Sequence, residues 1–150
     1  MNKSVIDLEK AKKLLESAKA TCAFVKDEEA FFSLERGVAP LLKLLQEEKS
    51  LAGFSAADKV VGRAAAFLYV LLKVEKLYAG VISKYALEVL NFYGVPVEYG
   101  ELVEAIRNRK GDGFCPMETA VLGISEPSEA VAAVVKKQEE LRKLWIQKPL

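Results

Sequence analysis

Histidine is absent from this chain of 150 residues, and cysteine occurs only twice, at Cys22 and Cys115. Without histidine, the chain cannot form the Ser–His or Cys–His pairs that activate nucleophiles, or a histidine-containing zinc site. Two cysteines are too few for a disulfide framework, so we expect a reducing, cytoplasmic environment. These absences exclude the commonest triad hydrolases and disulfide-rich secreted domains.

A surplus of one charge and long apolar runs are also missing. The formal net charge is +1, and no basic surplus or aromatic–basic alternation indicates a nucleic-acid partner. No apolar run reaches the roughly 18 residues of a membrane-spanning helix, and the charged start MNKSVIDLEKAKKLL is not a secretory signal. The composition, 51% hydrophobic and 29% charged, predicts a globular protein with no nucleic-acid and no membrane partner.

Hydrophobic periodicity predicts an α/β protein. The expected elements are a helix over 4–19, a hairpin of strands over 21–26 and 30–36, a helix near Pro40, an alanine-rich helix over 55–73, a strand over 76–83, a helix over 83–94, a strand over 95–100, a helical turn or two over 101–109, and helices over 116–123 and 127–147. A hairpin followed by βα units implies a mixed sheet with parallel later strands and helices on both faces. We expect one domain over 1–150, with the 127–147 helix as an addition.

Three blocks of the sequence resemble a small bacterial family of unknown function. They are FSAADKVVGRAAAFLYVLL, YAGVISKYALEVL and YGELVEAIRNRKGDGFCPMETAVL, and the resemblance spans roughly residues 5–125. That family is assigned the cytidine deaminase-like fold. The resemblance therefore implies a three-layer α/β architecture with a pocket, and its element order matches the one read from periodicity.

The resemblance does not extend to the deaminase metal site. Zinc deaminases carry His-x-Glu or Cys-x-Glu at one helix start and Pro-Cys-x-x-Cys at the next. The corresponding starts here, expected at Ser55 and Ser83, lack these ligands, and Cys115 follows one strand later. Asp58, Cys115 and Glu118 could supply three zinc ligands only in an unusual arrangement. We therefore expect no zinc cofactor and no zinc-dependent deamination.

Three expected helix starts carry polar residues: Ser55-Ala-Ala-Asp58-Lys59, Ser83-Lys84 and Cys115-Pro116-Met117-Glu118. They should converge beyond the carboxyl ends of the parallel strands, where free N–H groups and basic side chains attract anions. The sequence thus predicts a pocket for a nucleotide or related phosphate-bearing small molecule, although it contains no Walker loop or dinucleotide fingerprint. The expected ligand-binding residues are Lys59, Gly62, Arg63, Ser83, Lys84, Gly111, Asp112 and Gly113.

Asp58, Cys115 and Glu118 are the candidate catalytic residues. Asp58 follows Ser55 at a capping-box spacing, but a carboxylate there could also act as a general base. Cys115 precedes Pro116 at a helix start, which favours the thiolate, so it either lines the pocket or acts as a nucleophile. Glu118 has the spacing to cap that helix and could also move protons.

Two neighbouring residues each allow two interpretations. Lys59 is either a solvated surface lysine or the partner of a bound anion. Gly62, read as lying inside a helix, indicates either tight helix–sheet packing or room for a ligand to approach.

Two other functions are compatible with the sequence. In one, the pocket is vestigial and the last helix mediates self-association into a homo-oligomer. The side chains expected to do so are Val131, Val134, Leu141, Leu144 and Trp145. In the other, the protein is a thiol-dependent enzyme that uses Cys115. Whether any reaction is catalysed is left open by the sequence.

Overall fold

The computed structural model describes residues 3–107, 113 and 115–147, with side chains up to residue 143. In chain order the elements are α1 (Lys3–Ser17), β1 (Cys22–Lys26), β2 (Glu29–Ser33), α2 (Ala39–Gln46), β3 (Ser55–Val61), α3 (Arg63–Leu72), β4 (Lys76–Ser83), α4 (Lys84–Phe92), β5 (Val97–Val103), α5 (Pro116–Ala120) and α6 (Pro127–Gln147). No helix in these ranges is long and apolar enough to cross a membrane.

The five strands form one mixed sheet in the order β2-β1-β3-β4-β5. β1 pairs antiparallel with both β2 and β3, whereas β3, β4 and β5 are parallel. The predicted hairpin and the parallel second half are therefore confirmed. Successive parallel strands are neighbours, so α3 and α4 cross over on the same face of the sheet.

Helices cover both faces of the sheet. α1 packs on β1, β3 and β4, and buries a small apolar cluster that includes Ala11, Leu15, Ala23, Val25 and Ala57. The opposite face carries the larger core, which includes Phe24, Leu41, Ala56, Phe67, Leu77, Ile82 and Val134. Because β3 is central and covered on both sides, its middle residues are buried on both faces.

Residues 55–61 depart from the sequence prediction, because they form β3 and not the first turns of a helix. Alanine-rich sequence favours a helix locally, but the tertiary position overrides that preference. Ala56 and Ala57 are 0% exposed and belong to opposite cores, where only small side chains let helices approach both faces of the strand. Ser55 therefore caps no helix, and its hydroxyl donates to the Ser4 carbonyl at 2.9 Å.

The helix after β3 begins at Arg63, with Gly62 as its N-cap in an extended conformation. Gly62 thus stands outside the helix, and the interpretation of Gly62 as a residue inside a helix was wrong.

Two later element boundaries also differ from the sequence prediction. Residues 101–103 extend β5, because the main chain of β4 pairs with them as far as Ser83↔Val103. α5 ends at Ala120, three residues earlier than expected.

A crease crosses the sheet at Lys59, Gly80 and Gly100. A Cβ atom on Gly80 would lie 2.8 Å from the Lys59 carbonyl oxygen, and one on Gly100 would lie 2.9 Å from the Gly80 carbonyl oxygen. Ala56 and Val61 both face the main core although they are five positions apart, an odd spacing that regular strand alternation would place on opposite faces. β3 therefore kinks between them, immediately after Asp58, while its register with β4 is the same on both sides of the kink, and the glycines permit the close approach.

α6 packs back onto the other helices of the same chain. Val134 is 0% exposed in the main core, against α3, and is therefore not available to a second subunit. Leu141 is 36% exposed. The side chains of Leu144 and Trp145, which were expected to share this role, lie outside those described.

Candidate functional site

A cavity of about 290 Å³ lies beside the crease, at the carboxyl end of β3. Its polar and reactive side chains come from four segments of the chain: Thr21, Cys22, Arg36, Asp58, Lys59, Cys115 and Glu118. The remaining wall is largely apolar and includes Val38, Ala64 and Ile106. The site thus combines a few polar groups with an apolar surface, which is the usual character of a small-molecule pocket.

Asp58 is the central polar group of this cavity. Its Oδ2 accepts the Tyr69 hydroxyl at 2.6 Å, and its Oδ1 accepts the Val60 N–H at 3.2 Å across the kink. Burial raises the pKa of Asp58 to about 7, and the hydrogen bonds from Tyr69, Val60 and Lys59 limit that rise. The carboxyl group can therefore hold or release a proton near neutral pH.

The Cys22 thiol and the Tyr69 hydroxyl beside Asp58 stay neutral. Cys22 lies opposite Asp58 on the neighbouring strand β1, and burial, with a smaller effect of the Asp58 charge, raises the pKa of its thiol to about 12. Burial also raises the pKa of the Tyr69 hydroxyl well above its usual value. Since the thiolate is the reactive form, Cys22 is a neutral lining group and not a nucleophile.

Glu118 closes the inner end of the cavity and is 3% exposed. Its Oε1 accepts the Arg63 N–H and the Ser83 hydroxyl, the latter at 3.3 Å, and its Oε2 accepts the Ile106 N–H at 2.8 Å. An internal carboxylate therefore occupies the N-terminus of α3, where we expected an anionic ligand. A Cβ atom on Gly62 would lie 3.0 Å from Glu118 Oε1, so this glycine makes room for Glu118.

The predicted capping pair at Cys115 and Glu118 is not formed. Cys115 is the N-cap of α5 and Pro116 opens that helix, as expected, but the Cys115 side chain makes no capping hydrogen bond. Glu118 reaches across to α3 and accepts the partly buried N–H groups of Arg63 and Ile106, which need an acceptor. It holds α5 against the sheet.

Arg63 and Ser83 also serve contacts within the chain. The Arg63 guanidinium donates to three main-chain carbonyl oxygens at 2.8–3.3 Å, those of Tyr85, Val121 and Ile124. The Ser83 hydroxyl caps α4 by accepting the Ala86 N–H at 3.1 Å. These bonds join α5 and the turn after it to α3 and α4, and so fix one wall of the cavity.

Comparison with known proteins gives one consistent result. Residues 10–138 match a family described as "TM1506: Domain of unknown function (DUF1893)". This chain belongs to the DUF1893 family. A crystal structure of a DUF1893 family protein (TM1506) from Thermotoga maritima at 2.70 Å resolution is similar, with a TM-score of 0.83 and 30% identity over 91% of this chain and 92% of that one. A comparison with curated proteins finds no match.

Five of the residues predicted for the site do meet in this DUF1893 protein: Asp58, Lys59, Gly62, Cys115 and Glu118 line the same cavity. Lys84 is exposed to solvent, and neither Lys84 nor Gly113 lines the cavity. Gly111 and Asp112 lie outside the described residues.

Sequence reasoning missed three members of the site: Tyr69, Cys22 and Arg36. The Tyr69 ring belongs to the core, as its apolar neighbours in the sequence indicate, but a fully buried hydroxyl also needs a partner. Cys22 faces Asp58 only because β1 and β3 pair antiparallel, and that pairing was hidden while residues 55–61 were read as helix. Arg36 reaches the cavity from the loop after β2, for which the sequence offers no signal.

Within residues 3–107, 113 and 115–147 of this DUF1893 protein, no group of three or more His, Cys, Asp or Glu side chains is placed to hold a metal ion. The two carboxylates considered as zinc ligands already have partners. Asp58 is bound by Tyr69 and Val60, and Glu118 by Arg63, Ser83 and Ile106.

Proposed function

We propose that this DUF1893 protein binds a small nucleotide-type ligand, a heterocycle with an anionic group, in the cavity beside Asp58, without zinc. The observation that carries the proposal is the Asp58 carboxyl group itself. It is buried on the wall of a cavity, oriented by Tyr69, and has a pKa near neutral. Such a group can accept an N–H from a heterocycle or donate to a ring nitrogen.

The size and lining of the cavity support a ligand of this class. A volume of about 290 Å³ lies at the lower end of the range of small-molecule pockets, roughly 300–1,000 Å³. A mononucleotide or nucleoside is compatible with it, whereas a dinucleotide is too large. Apolar side chains such as Val38 and Ala64 offer a surface for a planar ring.

Two basic side chains at the rim support an anionic group on the ligand. Lys59 and Arg36 both line the cavity and are exposed to solvent. Neither forms an ion pair with another described residue. A phosphate would therefore sit at the rim, because Glu118 already fills the anion site at the start of α3.

The arrangement of the strands and the position of the cavity also support a more specific classification of the fold. We assign a cytidine deaminase-like arrangement, supported by an antiparallel hairpin followed by β3-α3-β4-α4-β5 with parallel strands, and by a cavity at the carboxyl end of β3.

Catalysis in this cavity would be proton transfer by Asp58. The thiol-dependent alternative has less support, because the sequence contains no histidine that could act as a base for Cys115.

Calorimetric titration with nucleobases, nucleosides, nucleoside monophosphates and inorganic phosphate tests this proposal. We expect a nucleoside monophosphate to bind, and Asp58→Asn and Lys59→Ala each to weaken it about tenfold or more. Lys13→Ala, an exposed lysine on α1, is the matched control and should leave binding unchanged. The proposal fails if no member of the panel binds, or if Asp58→Asn binds as tightly as the wild type.

A further inference from the structure

The outer edge of β2 and the residue after it expose three large apolar side chains. Phe31, Phe32 and Leu34 are 38%, 46% and 64% exposed. At about 200 Å² for each residue, they leave about 300 Å² of largely apolar surface in one patch. Beside it, on the α2 side of the sheet, lies a groove of about 950 Å³ that Phe31 and Phe54 help to line.

β2 lacks the usual protection of an edge strand. It pairs with β1 in an unbroken register from Cys22↔Ser33 to Lys26↔Glu29, and it contains no proline, lysine or bulge. Only Glu29 is charged, at one end. The other edge strand, β5, differs because it carries Glu98 and Glu101 and the close-packed Gly100.

The hairpin geometry determines which main-chain groups of β2 are free. A two-residue turn makes Lys26 and Glu29 a hydrogen-bonded pair, so Glu29, Phe31 and Ser33 direct their N–H and C=O groups toward β1. The Thr21 N–H accordingly donates to the Ser33 carbonyl at 2.9 Å. Ala30 and Phe32 therefore present their N–H and C=O groups to the open edge.

We propose that β2 pairs antiparallel with β2 of a second copy of this chain, about a two-fold axis at Phe31, to form a continuous ten-stranded sheet. In this register Ala30 of each copy lies opposite Phe32 of the other, and all four free N–H groups find acceptors. Glu29 lies opposite Ser33, whose hydroxyl accepts the Glu35 N–H at 3.1 Å and keeps its proton to donate to the carboxylate. The two Phe31 rings meet on the α2 side.

The charges beside the edge favour a second copy over an unrelated peptide. The groove is lined by carboxylates and ammonium groups: Glu29, Glu35, Glu47, Lys43 and Lys49. None of them forms an ion pair with another residue in the described part of the chain. A two-fold axis perpendicular to the sheet places the two grooves side by side, so each copy offers the other both signs of charge.

The size of the patch predicts a dimer that dissociates on dilution. A stable interface buries about 800 Å² on each partner, and the apolar patch provides about 300 Å² of that. The main chain of β2 and the charged groove supply the rest, which is more polar and contributes less. Sedimentation velocity over a wide range of protein concentrations should therefore show monomers of 16.5 kDa in equilibrium with particles of twice that mass.

Two matched variants test the location of the interface. Phe32→Lys should give monomers at every concentration, whereas Tyr99→Lys, at a similarly exposed aromatic residue on β5, should leave the dimer intact. Circular dichroism and thermal unfolding confirm that each variant is folded. A monomeric wild type, or dimers equally affected by both substitutions or by neither, would overturn the proposal.

A cross-linking experiment tests the register. The two Phe31 Cα atoms should lie about 4.5 Å apart, within the range that a disulfide bridges. Phe31→Cys should therefore give a covalent dimer on mild oxidation. Phe32→Cys, whose counterpart lies diagonally across the axis at more than about 7 Å, should not. Efficient cross-linking at residue 32 but not at residue 31 would refute this register.

Discussion

Replacing Asp58 by asparagine should remove a specific pH dependence of stability. In the folded chain the pKa of Asp58 is about 7, against an ordinary value of 3.8, and burial is the cause. Between those two values the native state keeps a proton that the unfolded state releases. The stability contributed by the protonated group is therefore complete below about pH 4 and is lost as the pH rises through about 7.

The size of this effect follows from the interval between the two pKa values. Each pH unit corresponds to about 1.4 kcal/mol, so the wild type should lose about 4 kcal/mol of unfolding free energy through Asp58 between about pH 4 and pH 8. Asparagine keeps the shape of the side chain and an oxygen that can accept the Val60 N–H, but it cannot ionise. Asp58→Asn should thus match the wild type in acid and exceed its stability above neutral pH.

Urea unfolding at a series of pH values measures this difference. Cys22 and Tyr69 do not obscure it, because their raised pKa values affect stability only above about pH 9. Tyr69→Phe provides a second check. The Tyr69 hydroxyl lowers the pKa of Asp58, so its removal should move the transition to higher pH. A difference between the wild type and Asp58→Asn that stays constant with pH would refute the reasoning.

Two further substitutions test the walls of the site. Glu118→Ala removes a buried carboxyl group and leaves the partly buried N–H groups of Arg63 and Ile106 without an acceptor, so it should lower the unfolding free energy by about 2–4 kcal/mol. The exposed Glu126→Ala should change that free energy by less than about 0.5 kcal/mol in the same urea titrations. Gly80→Ala places a Cβ atom 2.8 Å from the Lys59 carbonyl oxygen and should lower the melting temperature by several degrees, or about 1–3 kcal/mol. Gly123→Ala, which meets nothing within 4 Å, is its control, and equal effects of the two glycine substitutions would contradict a tight crease.

The hairpin, the parallel second half of the sheet and the last helix could be predicted because their signals are local. The short polar connection over 27–29, which the structure shortens to two residues, the apolar run of β4 and the glycine that follows α4 each specify their own structure. Residues 55–61 could not be predicted in the same way. Their alanines become a strand only because two helices pack on its opposite faces.

The sequence by itself determined what chemistry is available: no histidine, two cysteines, and the few carboxylates and lysines from which a site can be built. Only the tertiary structure decided what those groups do. Asp58 acquires a pKa near neutral because β3 and α3 remove it from water beside Tyr69. Glu118 becomes an internal hydrogen-bond acceptor because the partly buried Arg63 N–H at the start of α3 has no helical partner. Both outcomes depend on burial, which arises from residues far apart in the chain.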